Sequence, residues 1–196
     1  MESIRNYIND LRQELENEIV TICEIPAPTF NEKKRGEYIA KRFEEEGLEN
    51  VHQDEIGNVI GILRFPDPGR TLAIAAHMDT AFSESTEIKV SKREDRFYAP
   101  GVGDNSSNVA GLIFLARILN HYKNQFRGQI YFVSTVGEEA LGDLMGMKKF
   151  VETYRDELDI VLVLDGQRLG CDIRCACRTD ELGRGLLDLA RRIDSV

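Results

Sequence analysis

Apolar residues recur at steps of three and four through Ile4, Ile8, Leu11, Leu15, Ile19 and Ile22. This spacing predicts an amphipathic helix from about Ser3 to Cys23 whose stripe faces a core. Pro26 and Pro28 end it, and Asn31-Glu32 opens a second helix through Tyr38, Ile39 and Phe43 that stops near Gly47. Val51 to Asp54 and Asn58 to Phe65 then predict two strands around a turn at Ile56-Gly57-Asn58. Pro66-Asp67-Pro68-Gly69 breaks the chain before Leu72-Ala73-Ile74-Ala75-Ala76. That run has no polar alternation, so it predicts a strand buried on both faces at the centre of a parallel or mixed sheet.

Phe82 to Tyr98 is polar and charged and predicts a surface excursion of short strands. Beyond it, Gly101 and Gly103 permit an unusual backbone, and Ser106 or Ser107 is placed to cap a helix carried by Val109, Leu112, Ile113, Ala116 and Leu119. Ile130 to Thr135 predicts another strand. A helix follows from about Gly142 to Tyr154, with Leu144, Met147, Phe150 and Val151 as its core face. Asp159 to Leu164 predicts a third buried strand. Strands alternating with helices in this order predict a three-layer α/β/α sandwich around a central mixed, mostly parallel sheet.

The 196 residues suffice for one sizeable core, so one domain is expected. The net charge of -9 argues against a nucleic-acid partner, which needs clustered Lys and Arg. The first residues lack the order of a signal peptide, and no apolar run approaches the ~18 residues of a membrane span. A cytoplasmic protein without a membrane partner is therefore expected. The four cysteines do not make a disulfide framework.

The chemistry lies where the strands end. The buried run that starts at Leu72 stops at His77, with Asp79 two places on; Asp104 lies at the mouth of the third helix; Glu138-Glu139 follows the Ile130 strand; Asp165 ends the last strand. Taken singly, each has a plain structural explanation, such as a strand-end histidine, a capping loop or a solvated acid pair. Together they stand at the carboxyl ends of strands, the edge at which open α/β sheets bind ligands. One imidazole and three carboxylates suit zinc or a similar divalent ion, and a shared carboxylate lets two ions sit close together. Asp79 is placed to hold the second nitrogen of His77. One glutamate is left over to move protons. His52 and His121 read as a hairpin residue and a helix-end residue.

His77-Met78-Asp79-Thr80, Gly101-Val102-Gly103-Asp104-Asn105 and Gly137-Glu138-Glu139 resemble, in order and spacing, the motifs of metallopeptidase family twenty, the group of aminoacylases, acetylornithine deacetylase-like and carboxypeptidase-G-like enzymes and tripeptidase T. Asp54-Glu55-Ile56-Gly57-Asn58-Val59 and Ile25-Pro26-Ala27-Pro28 also resemble that family. The resemblance covers residues 1 to about 170 and implies the N-terminal portion of a zinc peptidase catalytic domain. It implies two Zn2+ ions, replaceable by Co2+ or Mn2+: His77 and Asp165 on one, Glu139 on the other, Asp104 bridging both. It further implies that Asp79 orients His77, that Glu138 is the general base, and that the Asp104-Asn105 peptide bond is cis. The implied substrate is a small peptide or an N-acyl amino acid; no oligomeric state is implied.

The chain departs from that family in two places. No histidine follows His121 to complete the Glu139 ion, and the lid domain and C-terminal catalytic segment are lacking. Residues 171–196 form an atypical tail with Arg and Cys171, Cys175 and Cys177, which reads as a truncated or frame-shifted end. Leu182, Leu186, Leu189 and Ile193 suit a short helix there. Two other readings stay open: a catalytically dead remnant or interaction module that holds at most one zinc, and another co-catalytic zinc aminopeptidase family.

Overall fold

The computed structural model describes residues 4–94 and 96–166 and the backbone of Asp172–Cys177. The helices are α1 (Ile4–Asp10), α2 (Arg12–Glu24), α3 (Lys33–Glu45), α4 (Ser107–His121) and α5 (Met145–Tyr154). The strands are β1 (Glu49–Gln53), β2 (Val59–Arg64), β3 (Asp67–His77), β4 (Ser91–Arg93), β5 (Arg96–Tyr98), β6 (Arg127–Thr135), β7 (Ile160–Asp165) and β8 (Asp172–Cys177). One sheet has the order β1-β2-β6-β3-β7-β8, and β4 pairs with β5 in a separate ribbon. The expected tail helix and the side chains of Cys171, Cys175 and Cys177 lie outside the described residues.

The sheet is mixed, as expected; among the described residues its parallel pairs are β3 with β6 and β3 with β7, while β1-β2, β2-β6 and β7-β8 are antiparallel. Parallel strands need crossovers, which are right-handed in nearly all proteins. The chain leaves β3 through α4 to reach β6, then passes back across β3 through α5 to reach β7. Because the direction reverses, helices in two right-handed crossovers must lie on opposite faces, and they do. Ile74, Ala76, Ile130 and Phe132 pack with Ile22, Ile39, Phe43, Leu112 and Ile113 of α2, α3 and α4. Ala73, Ala75, Tyr131 and Val133 pack with Phe150 of α5. The unbroken apolar run of β3 is thus buried on both faces, and the three layers follow from it.

Several boundaries differ from those that the pattern predicts. The first helix is interrupted at Leu11, and α1 buries none of its residues, which leaves Ile4 and Ile8 exposed. The Pro66–Gly69 stretch does not separate β2 from β3. Instead β3 starts at Asp67, with an irregular register before Thr71. No side-chain hydrogen bond caps α4; a π-helical turn, Val102–Ser106, leads into it. Helix α5 starts late because a 3-10 turn, Ala140–Gly142, comes first, and its core face is Phe150 with Gly146 and the partly buried Met147, whereas Leu144 and Val151 are exposed. Strand β7 is half-buried throughout.

Gly146 shows how closely α5 meets the sheet edge. Its N–H donates to the Val136 carbonyl (3.0 Å), and its own carbonyl accepts from Nδ2 of the fully buried Asn58 (2.9 Å). Asn58 Oδ1 in turn accepts the Val136 N–H (3.0 Å). A Cβ on Gly146 would collide with the Val136 backbone and with Asn58 Oδ1. Gly146→Ala is therefore expected to destabilise the fold by about 1–3 kcal/mol, read as a lower urea midpoint with unchanged slope. A midpoint equal to the parent's would contradict this account of the α5 packing.

Candidate metal centre

The reversal of direction at β3 sets the carboxyl ends of β6, β3 and β7 side by side, which is the switch-point crevice of an α/β sheet. His77 is the last residue of β3 and is buried. The segment after it is held from below by Arg35 of α3, whose guanidinium donates to the carbonyls of Met78 (2.7 Å), Ile25 (3.0 Å) and Cys23 (3.3 Å). Burial lowers the Arg35 pKa to about 10, against the opposing pull of Cys23 and Asp79. On the far side of the loop, Thr80 N–H donates to the Ala27 carbonyl (2.9 Å).

The His77 ring has two different faces. Nδ1 lies 3.1 Å from the backbone carbonyl of Asp79 and 3.4 Å from its Oδ1, so the ring proton belongs on Nδ1. Nε2 then faces outward, 3.1 Å from Asp104 Oδ1, 3.8 Å from Asp165 Oδ1 and 4.0 Å from Glu138 Oε2. His77, Asp104 and Glu139 each offer one ligand atom, all within 4.8 Å of one another.

Local backbone explains how each acid arrives there. Asp104 sits in the π-helical turn with non-helical torsions (φ -129°, ψ 89°), followed by a cis Asp104-Asn105 bond. Gly101 precedes it at φ 73°, where a Cβ would come within 2.9 Å of Thr80 Cγ2. Asn105, fully buried, donates from Nδ2 to the Leu164 carbonyl (3.0 Å), tying this turn to the end of β7 and hence to Asp165. Asp79 reaches the other way. Its Oδ1 accepts the Glu138 N–H and its Oδ2 the Glu139 N–H, both at 3.0 Å, and Oδ2 also accepts the Thr29 hydroxyl at 2.9 Å. All six residues singled out by the sequence therefore gather at one edge of the sheet.

Charge dominates this edge. For His77, burial disfavours the charged ring, but hydrogen bonds to Asp104 and Asp79 and the Glu138 charge outweigh it and push the pKa up to about 10. Burial raises the pKa values of Glu138 and Glu139, and neighbouring carboxylates add to the rise while His77 opposes it. Asp79 is lowered: burial works against its charge, but the His77 bond and the amides of Glu139 and Glu138 prevail. One nitrogen and several carboxylate oxygens converging on one point form a donor set that fits a divalent ion with a taste for both, such as zinc. Beside it lies a cavity of about 380 Å3 lined by Ala81, Phe82, Gly101, Gly103, Asp104 and Glu139.

Arg35, Thr29 and Asn105 escaped the sequence reading. Arg35 left a trace, since it occupies the same helical stripe as Ile39 and Phe43, where a cation must find buried partners. Thr29 left none, and Asn105 shows in the sequence only as part of the Asp104 motif, because their partners lie far along the chain.

The fold is thus an α/β sheet whose carboxyl edge carries one imidazole and two carboxylates that could hold a metal ion. Residues 73–178 match the family described as Peptidase family M20/M25/M40, and the chain belongs to that family. No match was found among curated proteins. Among solved structures, the chain is similar to aminopeptidase PepT from Bacillus cereus ATCC 10987 (TM-score 0.67, 25% identity, covering 80% of this chain and 44% of that one). It is equally similar to a tripeptidase from Staphylococcus aureus subsp. aureus Mu50 (TM-score 0.66, 25% identity, 80% and 44%). A likeness of fold extends to human carnosine dipeptidase 1 (TM-score 0.69, 15% identity, 84% and 41%). The chain thus spans less than half the length of these structures.

A bound ion stabilises a fold by mass action, by about 2.7 kcal/mol at a free concentration one hundred times the Kd. Excess Zn2+ is expected to raise the Tm of the parent and EDTA to reverse it, while Asp104→Ala should show no shift. Equal shifts in parent and variant would remove Asp104 from the centre.

Proposed function

We propose that this chain carries the metal-binding part of a zinc-dependent amidohydrolase that cleaves a peptide or N-acyl amino acid bond. One observation carries the reading: His77 Nε2 stands 3.1 Å from Asp104, with Glu139 in the same ligand group, while Glu138 lies 4.0 Å away at the rim. His77 and Asp165 would hold one ion, Glu139 a second, and Asp104 both. Asp79 keeps the His77 ring oriented. When bound, the ions polarise the amide carbonyl and bring the pKa of water towards ~7.

Glu138 is the group left to move the proton. Its carboxylate, raised above the ordinary range chiefly by burial, is a better base than an exposed glutamate. It takes the proton from the attacking water at a side-chain oxygen and returns it to the leaving amine. The cavity beside Asp104 and Glu139 has the size of a small-ligand site, which favours a short substrate. The free, buried thiol of Cys23 suits a reducing compartment, in keeping with a cytoplasmic protein.

A one-ion remnant is the second reading, and a specific observation favours it. Among the described residues, His77, Asp104 and Glu139 form the one group whose ligand atoms lie within 4.8 Å of one another, and in it Asp104 is the one carboxylate beside Glu139. Titration with Zn2+ separates the two readings: two ions per chain with turnover of a dipeptide or N-acyl amino acid support the enzyme, and one ion without turnover supports the remnant. In an active protein Glu138→Gln is expected to keep its zinc and lose about 10²–10⁴-fold in kcat. Undiminished turnover in that variant would remove Glu138 as the base.

A further inference from the structure

The loop that carries Glu138 and Glu139 closes on its own backbone, Gly142 N–H donating to the Glu139 carbonyl (2.8 Å) and Met145 N–H to the Gly137 carbonyl (3.0 Å), and it is anchored from outside as well. Gly137 has φ 58°, and Ala140, Asp143 and Leu144 are also left-handed at 48°, 48° and 61°. Non-glycine residues are disfavoured in that region, so bonds from the surrounding structure help to hold the loop. The outside anchors are three successive amides. Glu138 and Glu139 N–H donate to Asp79, and Gly137 N–H donates to Glu32 Oε1 at 3.1 Å.

Glu32 is only 7% exposed and stands at the start of α3. Its carboxylate makes no capping bond to its own helix. Instead the same Oε1 accepts Phe30 N–H at 2.9 Å and Gly137 N–H, a residue 105 positions away. Burying a carboxylate is costly unless its oxygens are hydrogen-bonded, so this placement favours one conformation of both loops.

We propose that Glu32 is a positioning residue of the metal centre: with Asp79 it clamps Gly137, Glu138 and Glu139 so that both glutamates face the His77–Asp104 pair. The proposal rests on the metal-centre reading above. Gly137 is the entry to the loop, and a Cβ there would strike Met145, so the loop turns in the space that Glu32 and Met145 leave. Reach, rather than charge, is what the clamp needs. Glutamine retains an oxygen at that reach, whereas aspartate keeps the charge but withdraws it by one carbon–carbon bond, about 1.5 Å.

The test uses the full chain, Zn2+ alone as the probe, and calorimetric titration of the parent, Glu32→Gln, Glu32→Asp and Glu32→Ala. Glu32→Asp and Glu32→Ala are expected to bind Zn2+ about 10–100-fold more weakly, the range seen when groups supporting a ligand are lost, while Glu32→Gln stays close to the parent. If Glu32→Ala does not fold, Glu32→Asp carries the test. Parental affinity in Glu32→Asp overturns the clamp. Amide hydrogen exchange at residues 137–139, measured on the same proteins without metal, separates the clamp from the metal reading. Should the parent bind no Zn2+, the metal reading fails, and exchange still decides: faster exchange confined to those amides in Glu32→Asp supports the clamp, and unchanged exchange overturns it.

Discussion

Mutual repulsion among the carboxylates around His77 is the constraint on which this structure turns. Asp79, Asp104, Glu138, Glu139 and Asp165 come from four separate segments and crowd one imidazole, with Asp104 and Asp165 at 3.1 and 3.8 Å from its Nε2. Positive charge relieves that repulsion: the bonds to Asp104 and Asp79 and the charge of Glu138 push the pKa of the ring up to about 10 although burial works against it. A divalent ion answers the same need more fully, because it brings two charges and accepts several oxygens at once. The donors at this edge thus fit a cation, and holding them together costs electrostatic strain.

The strain is tolerated because the backbone underneath is over-determined. Reversal of the chain at β3 places three strand ends together. Arg35 pins the Met78 carbonyl between His77 and Asp79, Asn105 pins the end of β7, and Asp79 receives the amides of both glutamates. These bonds cross between segments rather than running within one. Removal of any one partner leaves a buried polar group unsatisfied, a cost of about 1–3 kcal/mol. Rigidity at this edge therefore comes from polar bonds laid over an apolar core, and not from the core alone.

Much of this was legible in the sequence because it depends on local periodicity. The unbroken apolar run of β3 announced a strand covered on both faces, and the layers follow from that strand. The acids at strand ends were visible for the same reason, since a strand's end is readable from its pattern. What escaped were features decided by tertiary packing. Ile4 and Ile8 continue a helical stripe but stay exposed, and β7 reads as fully apolar but is only partly covered. The parallel share of the sheet was overestimated, because pairing direction at the edges is set by turns and crossovers, not by side-chain pattern. Asp79 was read as a partner of His77. Its carboxylate also receives two amides from a loop some sixty residues away, and no local signal marks that bond.

The most direct measurement of the central claim is diffraction at the zinc absorption edge from crystals grown with Zn2+. The account predicts an anomalous peak bonded to His77 Nε2 and Asp104, with Glu139 or Asp165 completing the ligands. An empty map at this edge, with His77 Nε2 still hydrogen-bonded to Asp104, would contradict it.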